Sequence, residues 1–373
     1  MRCYSLAIIR AITVHVPEHV SSQDNVRELT DRVKSIIERC RNLLRKHSLE
    51  CWGFRASFPS LKSIEHIDLH EIAVSLKEFS SECGVITAGL HLDEISSVKH
   101  YELLIKFLEA SDKLYGSVLV SDVRHLDWYV ECLEKHSNKS DLFTRLAVIF
   151  PSRVLTPYFP ASTSYSGLWG ISIALRYVDL IKKVVTGVQG YSELIEYIKK
   201  VFELCKGLEA EVGARCFGLD LSLSPWMDES VGEVVELLSQ VNIPEPGSGW
   251  AVFKLNQLIN QLALDAKVDI VGFNEVMLPI AEDNLLKKRV LEGKLRISDI
   301  AHLVMFCVSG VDMAAVYVGD EERREKLRKL LYDVYALSLV KRRSIGVRLI
   351  PTTVKPGGVI SIEKFGDIPV ADV

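Results

Sequence analysis

Between residues 5 and 150 the chain switches repeatedly between two hydrophobic periods, and this alternation restricts the possible folds more than any other feature. A β-branched run at Ser5 to Val16 gives way to Val26, Leu29, Val33, Ile36, Ile37, Cys40 and Leu44, spaced as one face of a helix and preceded by Ser and Asp capping residues. The unit returns as strand Glu50 to Phe58 with helix Ile67 to Cys83, strand Gly84 to Leu92 with helix Val98 to Ala110, and strand Gly116 to Ser121 with helix Leu126 to His136. Strand Arg145 to Phe150 ends the series. Strands separated by single amphipathic helices are what βαβ units on a parallel sheet require, so an α/β fold is expected.

Residues Pro151 to Gly170, PSRVLTPYFPASTSYSGLWG, are rich in Pro, Ser, Thr, Gly and aromatics, and a long aperiodic connection of this kind is usually functional. Two successive helices are expected next, Leu168 to Val185 and Tyr191 to Val212. Second-half strands then fall at Cys216 to Leu223, Val268 to Gly272, Met313 to Val318 and Ser344 to Ile350. Helices between them are placed at Ser230 to Leu238, Trp250 to Ala266, Glu282 to Leu291, Ile297 to Phe306 and Glu322 to Leu339. At 373 residues the chain has room for two doubly wound domains or one large barrel, and no linker resembles a flexible tether.

A net charge of −4 and a pI near 6.2 leave no basic footprint for a phosphate backbone, so nucleic acid is not an expected partner. No run reaches the ~18 apolar residues of a membrane-spanning helix, and Arg10 interrupts the stretch CYSLAIIRAITVHV that would otherwise mimic a secretory leader. A soluble, cytoplasmic protein with no membrane partner is expected. The eight cysteines are scattered without a C-x-x-C pair, which reads as small buried hydrophobes in a reducing compartment and not as a metal cluster. Only five Gln and eight Asn are present, a hint of a thermophile.

In α/β folds chemistry gathers on loops at the carboxyl ends of strands. In RCFGLDLSLSPWMDES, Asp220, Ser222 and Ser224 alternate with leucines, so three polar side chains share one face, where they either meet a substrate or satisfy one another. Gly247, Ser248 and Gly249 precede a helix; their amides suit a phosphate or carboxylate, or else form a plain turn and cap. After VDIVG come Asn274 and Glu275, the latter a candidate general base, while Glu282 and Asp283 start a helix as dipole complements do. In CVSGVDMAAV, Ser309 and Asp312 enter a strand, and Cys307 lacks the partner His a nucleophile needs. His91 and Asp93 alternate at the end of the third strand, where ordinary hydrogen bonding competes with ligand binding.

Several of these motifs, in this order, make the chain resemble the family called domain of unknown function 711, also known as uncharacterised protein family 0210. The resemblance spans nearly the whole chain and rests on FGLDLSLSP, Gly247 to Gly249, LPIAEDN from Leu278, CVSGVDMAAV, and SIGVRLIP at Ser344 to Pro351. It implies a barrel similar to those of pyruvate formate-lyase and the ribonucleotide reductase large subunit, with ten strands in two parallel five-stranded halves set antiparallel and helices outside. On that implication residues 1–373 are one domain, with a first half over about 1–150, a connection over about 151–213 and a second half over about 214–373. The resemblance also implies a homo-oligomer.

PGGVISIEKFG is the only Gly-rich stretch near the end and carries no glycyl-radical signature, while VDIVGFNEVMLP lacks the Cys and Gly-Gly of bacterial members. Radical chemistry is therefore not expected, and a divergent archaeal branch is. The expected function is an enzyme, of unnamed reaction and unknown cofactor, acting on a small anionic metabolite. Glu275 would be its acid or base and Asp220 would orient; Ser222, Ser224, Asn274 and Asp312 would bind substrate, and Gly247, Ser248 and Gly249 would hold its charge. Glu282, Asp283, Ser309, His91 and Asp93 are secondary candidates, and no metal is expected. The rival expectation is a non-catalytic metabolite-binding or assembly protein that keeps the barrel.

Overall fold

A computed structural model of the chain describes residues 8–18, 26–61, 69–83, 87–93, 95–188, 190–306 and 308–373. The first half keeps the expected rhythm: β1 (Ile8–His15), α1 (Val26–His47), β2 (Phe54–Leu61), α2 (Leu69–Cys83), β3 (Thr87–Leu92), α3 (Val98–Glu109), β4 (Leu114–Leu119), α4 (His125–Lys135), a short α5 (Ser140–Phe143) and β5 (Leu146–Phe150). The expected starts of the first and third strands and of the second helix, at Ser5, Gly84 and Ile67, lie outside the described residues. Strands β1 to β5 lie side by side and parallel. The apolar spacing in α1 does what it predicts, burying Val33, Ile36, Ile37, Cys40 and Leu44 in the main core.

The second half consists of β6 (Gly170–Arg176), α6 (Val178–Val185), α7 (Tyr191–Val212), β7 (Arg215–Asp220), α8 (Val231–Ser239), α9 (Ser248–Ala266), α10 (Asn284–Leu291), α11 (Ile297–Leu303), β8 (Gly310–Tyr317), α12 (Glu321–Lys341), β9 (Ile345–Thr352), β10 (Val359–Ile362) and β11 (Gly366–Ala371). Two expectations need correction, and the Gly-rich tail adds a hairpin. The helix expected from Leu168 is a strand, β6, followed by the shorter α6: GISIALR pairs antiparallel along β1 from Ile8↔Arg176 to His15↔Gly170, and sheet pairing overrides helical spacing. Val268 to Gly272 is not a regular strand, because Gly272 and Asn274 take left-handed φ of 87° and 51° and break the extended run. The Gly-rich tail forms the hairpin β10–β11, whose β11 adds parallel to β8.

Among the described residues eleven strands form one mixed sheet in the order β10-β11-β8-β9-β5-β4-β3-β2-β1-β6-β7. The set β1 to β5 meets antiparallel neighbours on both sides, β6 beyond β1 and β9 beyond β5. Single bridges continue past β7: Leu219 to Ile270, Leu223 to Val276, and Val276 to Val308 just before β8. The amphipathic helices cover one face, where the largest apolar core lies.

The connection at 151–165 packs on the strands' other face. Thr13 of β1 and Arg55 of β2 both donate to the Pro157 carbonyl, at 3.2 and 2.8 Å, and Ser57 donates to the Ser162 carbonyl at 3.3 Å. Tyr158 and Ala161 join Ile149, Val154, Ala174, Phe273 and Met277 in a small second core. Backbone polar groups of a buried loop need partners, and these strand side chains supply them. Cysteine usage also departs from expectation. Cys205 in α7 and Cys216 in β7 form a disulfide, because the tight turn after α7 brings their Cα atoms to 5.5 Å.

Candidate functional site

A chamber of about 230 Å³ opens where the starts of β1, β2 and β4 meet the loops after β7 and the tip of the β10–β11 hairpin. Among the described residues four cations line it, Arg10, Arg55, Arg348 and Lys364, against two carboxylates, Glu282 and Asp312. The carboxylates are already committed. Glu282 accepts from Arg10 at 2.9 Å and from Arg348 at 3.1 Å, and Arg348 grips both oxygens of Asp312 at 2.7 and 2.8 Å. Burial pushes the Glu282 carboxyl up, but Arg348, Arg10 and Lys364 outweigh it and hold the group below its ordinary value.

Arg55 and Lys364 are left over. Among the described residues Arg55 donates only to the Pro157 carbonyl and Lys364 only to the Tyr115 hydroxyl at 3.2 Å, and neither pairs with a carboxylate. Burial, with Arg10 next, pulls the Arg55 guanidinium down to about 10, which still leaves it charged near neutrality. Aromatic rings complete the walls: Arg55 lies 5.4 Å from Phe159, Lys364 5.3 Å from Phe365, and Arg10 sits over both Trp52 and Trp226. Gly89 is what admits Phe159, since a Cβ there would stand 2.9 Å from its ring.

Of the residues singled out from sequence, Ser224, Glu282, Ser309 and Asp312 line this chamber. Asp220, Ser222, Asn274 and Glu275 lie together beside it, apart from Ser224 and Asp312 with which they were expected to converge. Asp220 is fully buried and accepts from the Thr156 hydroxyl, the backbone and hydroxyl of Ser222, and the amides of Phe273 and Asn274, at 2.6 to 3.1 Å. Burial raises its carboxyl and these donors oppose that rise. The Asn274 carbonyl caps the Leu221 amide at 2.9 Å, and Ser222 links Asp220 to the Glu275 amide. Glu275 is buried against Arg343 at 2.8 Å and Lys341 at 3.8 Å; burial lifts its carboxyl, and these two cations pull the other way.

The other candidates have local partners. Gly247 takes a φ of 116° at the start of α9, where the Ser248 amide is spent on the Glu245 carbonyl and the Phe306 ring packs where a Gly249 side chain would be. Asp283 caps α10, accepting from Leu285 and Leu286 and from Ser230 and Gly232 of the α8 start. His91 and Asp93 share a face and contact one another at 2.9 Å; Ser117 meets the other His91 nitrogen at 2.6 Å, and Arg153 grips Asp93. Burial lowers His91, whereas Asp93, although burial alone would raise it, is held down at about 2 by His91, Ser60 and Arg153. Cys307 lies outside the described residues. Among those residues no group of three or more His, Cys, Asp or Glu could hold a metal ion, and no helix is long and apolar enough to cross a membrane.

Sequence reasoning missed Arg10, Arg55, Tyr115, Arg348 and Lys364. The available signal was a charged residue inside an apolar strand, as in IIRAITV and IGVRLIP, since Arg is rarely buried without a partner.

Comparison with known proteins gives names without activities. An uncharacterised protein of the UPF0210 group from Sulfurisphaera tokodaii is 27% identical over 186 residues, covering 49% of this chain and 39% of its own length. Its counterpart from Lactiplantibacillus plantarum is 28% identical over 210 residues, covering 53% and 46%, and that from Pyrobaculum islandicum is 27% identical over 208, covering 52% and 44%. The chain thus spans less than half the length of these relatives, which come from archaea and bacteria alike. A family profile described as "Uncharacterised ACR (DUF711)" matches residues 4–362, almost the entire chain, and the chain belongs to that family.

Proposed function

We propose that the chain is an enzyme acting on a small anionic metabolite held in the Arg55 and Lys364 chamber. The observation that carries this reading is the charge imbalance: both chamber carboxylates are consumed by Arg10 and Arg348, which leaves two cations facing an aromatic-walled space. The half-buried Arg55 and the exposed Lys364, neither paired with a carboxylate among the described residues, favour an anion, and a space of about 230 Å³ suits a metabolite smaller than a drug-sized ligand. In this reading Asp220, Ser222 and Asn274 brace the loop that presents Phe273 and Met277 to the chamber. A second reading, a non-catalytic metabolite-binding protein, is favoured by the absence of a spare carboxylate among the chamber's described residues.

The test is mass spectrometry of compounds retained by the purified protein, repeated with Arg55→Gln and Lys364→Gln. An anion kept by the wild type and lost from both variants supports the chamber, and its chemical conversion on incubation separates enzyme from binder. Unchanged retention in both variants overturns the proposal.

The same proposal includes the architecture and assembly. The nine strands from β1 to β9 would close into a ten-stranded barrel with residues 268–277 as its irregular tenth member, a reading supported by the bridges from Leu223 to Val276 and from Val276 to Val308. A crystal structure with the free edge of β7 open to solvent would exclude closure. Homo-oligomerisation is likewise proposed, and native mass spectrometry finding only monomer would count against it.

A further inference from the structure

Arg10 uses two of its three guanidinium nitrogens, donating to the Pro225 carbonyl at 3.0 Å and to Glu282 at 2.9 Å. Its Nε is buried and makes no hydrogen bond among the described residues. An orphaned donor on a buried cation is costly and calls for an explanation. Arg55, a chamber cation with no carboxylate partner, has a single acceptor among the described residues and lies close enough for Arg10 to depress its pKa. Both guanidiniums line the same space; Glu282 pairs with Arg10 and acts on Arg55 only from beyond hydrogen-bond reach, so among the described residues no carboxylate bonds to Arg55. Beside them stand Trp52 and Trp226, packed edge to face at 4.8 Å with Arg10 over both rings.

Resting on the chamber reading above, we infer that Arg10 and Arg55 form a clamp for the oxoanion end of the ligand, a carboxylate or a phosphate, and that the ligand's body is flat and conjugated and lies against Trp52 and Trp226. Guanidinium forks match planar oxoanions, and indoles stack on flat bodies better than on puckered ones. Lys364, carried by the hairpin tip and exposed, stands at the mouth and contributes charge without setting the clamp.

The experiment is calorimetric titration of the full chain with benzoate, phenyl phosphate, inorganic phosphate, acetate and cyclohexanecarboxylate, with tryptophan fluorescence followed in parallel. Benzoate or phenyl phosphate should bind at least tenfold tighter than acetate or cyclohexanecarboxylate and should change the tryptophan emission. The stronger of the two identifies the head group. Arg55→Gln should weaken binding at least tenfold, and Arg55→Lys should restore only part of it. Arg10→Lys serves as the second variant, because Arg10→Gln would also strip Glu282 of a partner. If anions bind but Lys364→Gln abolishes binding while Arg55→Gln does not, the clamp is wrong and the chamber survives. Equal affinity for benzoate and cyclohexanecarboxylate would refute the flat body. If no anion in the set binds, clamp and chamber fall together.

Discussion

Glu282→Gln asks whether the buried ion chain holds the chamber together. Glu282, Arg10 and Arg348 all have side chains at most 9% exposed, so little water is available to replace a lost partner. Removing one member of a buried pair costs about 3–5 kcal/mol, because the surviving charge stays desolvated and unpaired. Arg348 would keep Asp312 and the Thr144 carbonyl, so the damage falls on Arg10, left with the Pro225 carbonyl and two indoles. Glutamine can still accept one hydrogen bond, which puts the expected loss near the lower end, about 3 kcal/mol. The pH dependence has a definite sign. Burial opposes ionisation, but Arg348 and Arg10 prevail and the folded group titrates below its unfolded value. Its contribution is therefore complete above the ordinary Glu value of about 4.3 and is lost as pH falls through the folded value. Urea unfolding followed by tryptophan fluorescence should show a constant deficit for the variant near neutrality and a narrowing one in acid. A deficit under about 1 kcal/mol at neutral pH, or one that does not narrow, would refute the ion-chain argument.

Asp220→Asn turns an NH₂ group toward buried donors from Thr156, Ser222, Phe273 and Asn274, and should cost about 2–4 kcal/mol in the same unfolding assay; an unchanged midpoint would mean those bonds are not made. Gly89→Ala forces Phe159 off the chamber wall, so a stability loss of about 1–3 kcal/mol should accompany weaker benzoate binding, and a variant normal in both respects would remove Phe159 from the wall. Non-reducing peptide mapping should recover Cys205 and Cys216 as one linked species, and Cys205→Ser should cost about 2–3 kcal/mol for so short a loop; full thiol labelling of both in denatured, unreduced protein would rule the bond out.

The first-half elements were legible because each segment's period and its burial agree: α1 reads as a surface helix and buries the residues its spacing selects. The misread positions are those where tertiary pairing overrides local pattern. GISIALR has the apolar content of a helix start, yet it extends because β1 offers it a partner more than 150 residues upstream. The segment after Lys267 is bent by Gly272 and by Asn274, whose side chain is tied to the Leu221 amide, a contact no local pattern reveals.

The candidate site divides along the same line. Asp220 with Ser222 and Asn274 with Glu275 stood out as polar pairs at strand ends, and closeness in sequence is also what lets such groups satisfy one another, as Asp220 and Ser222 do at 2.6 Å. The chamber's charges come from distant elements: Arg10 meets Glu282 across 272 positions and Pro225 across 215. No local motif can encode such a meeting. Arg10 and Arg348 show only as charges placed where an apolar strand should have none, and the cost of burying such a charge implies that a partner exists elsewhere in the chain or in the ligand. For Arg10 and Arg348 the structure supplies the partner in Glu282; Arg55, with one carbonyl and no carboxylate among the described residues, is the charge on which the proposed anion rests.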